Sequence, residues 1–492
     1  LRHSRLFYLI GIMLIFLALT MFLSALWSIV EQSPDRPAFA LAIFITAVTG
    51  ILFFFYFSPS RGKELSIVEN FTLVSLVWFV AGLFGALPFH FYGVFNGNFI
   101  QAYFEAISGF TTTGATLIED IEVLPRGLLL WRSFTQWLGG MGIIVLFLAI
   151  LPKFGFRSMN MFKAEIPGPV AERVVPRVVE TARLLWLIYL SFTITLILLL
   201  MITGISFYDS LAHALTTMPT GGFSPYNASI AALSNPAAEV VIIFFMLFAG
   251  INFAIYFRLI RGDFIILKNP EFRFYLIMII VGISLVTINN IGNNAGGDFF
   301  LTLRQSAFQV VSITTTTGYA TVDFNGWHHF SRLFLLFCMF VGACGGSTGG
   351  SMKQVRWMLM FKYALRELYG IIHPSAVSKV KLGMQFVDES VLRITMGFGF
   401  LYLFITAIST LVLALMGLDT ETAFSAVAAT IGNVGPGLAG VGPVETYQVI
   451  PPAGQLLLPV LMVVGRLEVF TVLVIFLPES RRIWLRSSKE NS

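Results

Sequence analysis

Thr111-Thr112-Thr113-Gly114-Ala115-Thr116 interrupts an otherwise apolar stretch, and three loops of like character follow it: Pro219-Thr220-Gly221-Gly222-Phe223-Ser224, Thr315-Thr316-Thr317-Gly318-Tyr319-Ala320 and Asn433-Val434-Gly435-Pro436-Gly437. Aligned on Gly114, Gly222, Gly318 and Gly435, the loops recur at spacings of 108, 96 and 117 residues. One chain thus carries four copies of one unit. Four backbone loops around an axis are what an ion-selective pore needs, because their carbonyl oxygens can replace an ion's hydration shell. The candidate ion-binding residues are Thr112, Thr113 and Gly114, then Thr220, Gly221 and Gly222, then Thr316, Thr317 and Gly318, then Asn433, Val434 and Gly435.

Composition places these loops in a membrane. The chain is 57% hydrophobic and 12% charged, against about 25% charged in soluble domains, and its mean hydropathy is +0.83. Several apolar stretches exceed the roughly 20 residues that cross a bilayer. The first, Leu6 to Val30, is long for a signal peptide and lacks a small-residue cleavage site, so a retained helix is expected. Cys338 and Cys344 lie six apart in one helical stretch. At about 1.5 Å of rise per residue they cannot bridge without distortion, and no zinc or redox motif follows.

The net charge of +5 hides an asymmetry. Once helices are placed, 25 of the 31 Lys and Arg fall on one side: the N-terminus, 58–66, 152–183, 258–273, 352 to about 393, and the tail from 478. The positive-inside rule makes that side cytoplasmic and puts both termini there. The other side holds Arg36, Arg126, Arg132, Arg304 and Arg332 against 13 acidic residues, Glu105, Glu119, Asp120, Glu122, Asp209 and Asp419 among them. A negative outer mouth concentrates cations and repels anions.

The expected fold is an all-α polytopic membrane protein: an N-terminal transmembrane helix pair (1–66) and four pseudo-symmetric pore units, 67–160, 161–262, 263–380 and 381–492. Each unit reads as a spanning helix, a short re-entrant helix, the loop and a second spanning helix, the last at about 130–151, 237–259, 330–361 and 454–477. Re-entrant segments such as Ala102 to Ser108 and Ala307 to Ser312 are too short to span. Non-helical backbone at membrane depth is tolerated only where protein or a water-filled cavity covers it. Each short helix aims its negative dipole end at the axis, which favours a cation.

The residues also carry a resemblance. Phe110 to Ala115, Thr316 to Ala320, Gln136-Trp137-Leu138-Gly139-Gly140-Met141-Gly142, Gly345-Gly346-Ser347-Thr348-Gly349-Gly350 and Gly432 to Gly437 resemble the signatures of the TrkH/KtrB superfamily of potassium uptake proteins, and specifically its TrkH branch, over essentially the whole length. The resemblance implies M1-P-M2 units like simple potassium-channel subunits. It also implies a homodimer with one pore per protomer and a cytosolic nucleotide-binding regulatory subunit of the TrkA type, in a bacterial inner membrane. With one glycine common to the four loops, it implies that potassium is preferred and rubidium accepted. Some plant relatives that favour sodium carry Ser at the first-loop position; this chain has Gly114 there, which the resemblance reads as favouring potassium.

Two further features read as a gate. Gly345 to Gly350 holds four glycines in six residues, each costing a helix about 1 kcal/mol relative to Ala. The same spacing could serve close helix packing, but the resemblance places an intramembrane loop there, obstructing the pore. Arg466, in Val463-Val464-Gly465-Arg466-Leu467-Glu468, is a charge at membrane depth and hence a functional candidate. Beneath a cation-binding loop it forms an electrostatic barrier. Glu468, two residues on, is a poor intrahelical partner, and Lys353 reads as a side chain snorkelling to the interface. No nucleotide motif, metal cluster or catalytic constellation is present in the sequence, so no intrinsic cofactor, no nucleic acid and no enzymatic activity are expected; potassium in the loops is the only bound ion. The basic linkers would meet the regulatory subunit or anionic membrane lipid. A sodium- or proton-coupled secondary transporter is the alternative, although such folds favour inverted repeats; a membrane-embedded enzyme would need clustered catalytic residues.

Overall fold

A computed structural model describes residues 3–57, 67–142, 178–291, 298–376, 378–383 and 385–476. Segment 58–66, most of 152–183, the tail from 478 and both chain ends, which carry much of the proposed basic excess, lie outside the described residues. The described chain is almost entirely helical, with one two-residue hairpin, Lys381–Leu382 against Gln385–Phe386.

Two long apolar helices, His3–Val30 and Arg36–Tyr56, form the N-terminal hairpin and pack on the first unit. Their turn is fixed by Ser28, whose hydroxyl donates to Asp35 at 2.9 Å. The first helices of the four units are Ile67–Gly85, Val178–Ile202, Pro270–Asn290 and Glu389–Leu415. The re-entrant helices are Phe99–Phe110, Phe207–Thr217, Phe299–Thr314 and Thr420–Ile431. The second helices begin as Arg126–Gly140, Pro236–Ala249, His329–Val341 and Pro452–Arg466. Within each unit the first helix packs on its own re-entrant helix. The second helix packs on the re-entrant helix of the next unit, and the fourth returns to the first. The units therefore close into a ring, run in one sense around it, and leave large apolar side chains such as Leu198, Phe400 and Leu411 exposed on their outer faces.

Among the described residues six helices are long and apolar enough to cross a bilayer, or eight if each of two bent pairs counts as one span. The bends correct the sequence reading, which drew 237–259 and 454–477 as continuous helices. The second unit's helix turns by 93° between Ala249 and Phe253, where Asn252 Oδ1 accepts the Ala254 N–H at 2.9 Å and starts a new helix. The fourth turns by 115° at Leu467 and Glu468. Glu468 there adopts φ +66, which no helix continues. The third is broken as expected, between Val341 and Gln354. The first, read to 151, ends its described helix at Gly140.

Candidate ion path and its inner plug

Each re-entrant helix begins on a side chain that accepts a first-turn N–H: Asn98, Ser206, Asp298 and Asp419. Each ends the same way. Thr113, Gly221, Thr317 and Val434 donate their N–H groups to the carbonyls five residues back, Ser108, Thr216, Ser312 and Ala429, at 2.8–2.9 Å. Thr112, Thr220, Thr316 and Asn433 donate to the carbonyls three back, at 2.9–3.2 Å. These paired bonds are Schellman caps, in which the residue after the cap must be left-handed. The four residues in that position have φ of 54, 56, 61 and 51, although none is glycine. Two residues on, Gly114, Gly222, Gly318 and Gly435 are left-handed again, with φ of 82, 78, 79 and 101. Four divergent sequences thus adopt one backbone.

The loops meet each other in chain order. A Cβ on Gly114 would strike the carbonyl oxygen of Gly221, one on Gly222 that of Thr317, one on Gly318 that of Val434, and one on Gly435 that of Thr113, each under 3.0 Å. Glycine is required here for close approach as well as for its positive φ. The four glycines line one cavity of about 70 Å³, together with Thr116, Arg132, Ser224 and Glu445. That is room for on the order of five waters. Carbonyls held this way, each against the glycine of a neighbouring loop and beside the negative end of a helix dipole, are of the kind that can coordinate a dehydrated cation.

Three supports of this ring escaped the sequence reading. Glu105 and Arg132, read as outer-loop charges, are 1% and 2% exposed and pair at 2.6 Å. Glu105 also accepts from Thr116 Oγ1 and the Leu117 N–H, and Arg132 donates to the Ser224 carbonyl, so the pair staples the first loop to the second. The signal was available, since Glu105 lies inside a short re-entrant helix and not beyond it. Gln136, noted only as part of a signature, reaches the second loop. Tyr447 donates to the Gly435 carbonyl at 2.7 Å.

Beneath the ring, residues 342–353 form the expected loop. Gly345, Gly346, Ser347, Thr348, Gly349 and Gly350 all lie in it and are largely buried. Its contacts reach the second, third and fourth units directly and the first through Arg466. Thr348 Oγ1 donates to Met218 at 3.0 Å in the second unit, the Gly350 N–H to Thr316 Oγ1 at 2.7 Å in the third, and Ser351 Oγ to Gly432 at 3.0 Å in the fourth. Arg466, 7% exposed, completes the set. Its guanidinium donates to the Thr348 carbonyl at 2.6 Å and to Gly139 and Gly140 of the first unit at 2.7 and 2.6 Å. Lys353 does not snorkel. It is 1% exposed, with its ammonium on the Gly349 carbonyl. The helix break holds it inside, because Gln354 anchors to the Gly342 carbonyl and turns the chain at that point. Glu271 accepts the Gly345 and Val355 N–H groups at 2.6 and 3.1 Å, clamping both ends of the loop. Glu468 pairs with Arg356 of the third unit.

A ring of four re-entrant loops inside a multi-pass helical protein, with a buried loop and arginine packed against it, is the architecture of a membrane transport protein. Residues 35–486 match the family TrkH, cation transport protein. The chain is 37% identical over 472 residues to the Trk system potassium uptake protein TrkH of Escherichia coli K12, covering 95% of this chain and 97% of that one. It is 38% identical over 472 residues, with the same coverage, to the TrkH of Halomonas elongata, and 33% identical over 444 residues to the Escherichia coli TrkG, covering 88% and 91%. The crystal structure of the potassium transporter TrkH from Vibrio parahaemolyticus superposes with a TM-score of 0.87 at 33% identity, covering 98% of this chain and all of that one. The chain belongs to the TrkH family of cation transport proteins, and it is a transporter, not an enzyme.

Proposed function

We propose that this protein takes up potassium across a bacterial inner membrane, with both termini cytoplasmic. Thr112 to Gly114, Thr220 to Gly222, Thr316 to Gly318 and Asn433 to Gly435 are the selectivity filter, and residues 345–350 with Arg466 are the gate. The observation that carries this reading is the closed cycle of glycine-to-carbonyl approaches from Gly114 round to Thr113. Such a cycle fixes a ring of carbonyls whose size is set by four separate helices, and it carries no charge that would favour divalent ions. The relatives' names as potassium uptake proteins agree. Rubidium, close to potassium in size, passes. In this reading the working unit is a homodimer. A cytosolic TrkA-like nucleotide-binding subunit docks on the basic cytoplasmic segments and relieves the plug, with the surrounding lipid as the other contact.

The test is cation flux into proteoliposomes. The wild type is expected to carry rubidium, with potassium competing better than sodium. Gly114→Ser is expected to lower that preference while the protein still folds, because any side chain at 114 pushes on the Gly221 carbonyl at a positive φ. An unchanged preference in a well-folded Ser variant would remove Gly114 from the filter.

A further inference from the structure

The four ring carbonyls are not equivalent. Those of Thr113, Thr317 and Val434 accept no hydrogen bond from the described residues, whereas that of Gly221 accepts one from the Gln136 side-chain amide, Nε2 to O, at 2.7 Å. The same amide's Oε1 accepts the Phe223 N–H at 3.1 Å. Gln136 is fully buried, and its two bonds straddle Gly222. In the first and third loops the residue before the glycine is Thr113 or Thr317, whose hydroxyl bonds that of Thr111 or Thr315 at 2.7 and 2.8 Å. The second loop has Gly221 and Pro219 in those places, so neither hydroxyl exists. The space is filled instead by Gln136: the atoms that a Cβ on Gly221 would meet first are its Cδ, Oε1 and Nε2, all under 3.0 Å.

We infer that Gln136 is a selectivity-determining positioning residue, which replaces the missing threonine pair of the second loop and ties one of the four ring carbonyls to the first unit's second helix. The inference rests on the reading of the ring as the ion path. An amide donor on Gly221 O draws electron density from that oxygen and limits how far it can move toward an ion. Among the described residues the ring thus has one carbonyl held by a side chain and three without such a tie. Its size at that level depends on a side chain from outside the loops.

The test is the order of preference among lithium, sodium, potassium, rubidium and caesium, measured by competitive flux in proteoliposomes. Gln136→Leu removes both bonds at similar volume, and Gln136→Glu keeps the acceptor for Phe223 but loses the donor. Each is expected to narrow the preference for the leading ion over sodium by roughly threefold to tenfold, the worth of one or two buried hydrogen bonds. Gly221→Thr alone should be the most damaged, because it collides with Gln136. Gly221→Thr combined with Gln136→Ala should recover part of the preference, because it relieves that collision and places at 221 the threonine of the first and third loops, and adding Pro219→Thr, which supplies its hydroxyl partner, should recover more. Which ion leads in the wild type tests the functional reading. The change between wild type and variants tests Gln136, whichever ion leads. Unchanged preference in folded Leu and Glu variants, or no recovery in the double variant relative to Gly221→Thr, would overturn the role given to Gln136.

Discussion

Arg466 shows how much a single side chain holds at this depth. One guanidinium satisfies carbonyls of the intramembrane loop and of Gly139 and Gly140, joining the third unit to the first from the fourth. Arginine suits that task because its planar fork presents several donors at once. Arg466→Ala removes both the charge below the ring and the ties on the loop. Flux through well-folded protein is expected to rise tenfold or more, since hydrogen bonds from a charged donor are worth about 1.5–3 kcal/mol each. Arg466→Lys keeps the charge but cannot reach all the carbonyls, so a smaller rise is expected. Single-channel recording or liposome flux decides it, and equal flux for wild type, Ala and Lys would take Arg466 out of the gate. Arg466 was legible in the sequence because charge is rare at the centre of an apolar helix. Its partners were not, because Thr348 and Gly139 lie 118 and 327 residues away.

At the scale of elements, the re-entrant helices and their loops were the most legible part of the fold. Their glycines cannot be exchanged without collision, and their polar residues stand out against apolar surroundings. The broken second helices were less so. Four glycines announced the break after Val341, whereas at the other two bends the marks are a positive φ at Glu468 beside its ion pair with Arg356 and a single Asn252 cap, neither of which stands out in the sequence. Glu105, Arg132, Lys353 and Glu271 were misread or passed over. Lys353 and Glu271 lie at the ends of helices, where charge ordinarily means interface, and Glu105 and Arg132, inside helices, were grouped with the loops around them; the packed structure shows all four turned inward. Glu271 gives the prediction at this scale. Glu271→Gln leaves shape almost unchanged but weakens its bonds to the Gly345 and Val355 N–H groups. The loop is expected to lose about 1–3 kcal/mol of anchoring. Basal flux should then rise while the preference among cations stays as in the wild type, because the ring above is untouched. A variant with altered preference and unaltered flux would contradict the division between ring and plug.

In the whole molecule, the second helix of each unit packs on the re-entrant helix of the next, and the glycine of each loop sits on a carbonyl of the next. Two independent sets of contacts thus trace the same closed cycle. The N-terminal hairpin stands outside it, mainly against the first unit, with Trp27 reaching Phe207 and Tyr208 of the second. The approximate fourfold repeat was legible in the spacing of the glycines. The departures from symmetry were not, because Gln136, the Glu105–Arg132 pair and Arg466 act between units and leave no periodic trace. The central claim is that this ring binds a dehydrated monovalent cation on its axis. Anomalous diffraction from crystals grown in rubidium tests it most directly. The expected result is a peak enclosed by the carbonyl oxygens of Thr113, Gly221, Thr317 and Val434, weakened in Gly114→Ser. Rubidium bound elsewhere in the protein, with no peak inside the ring, would contradict the account.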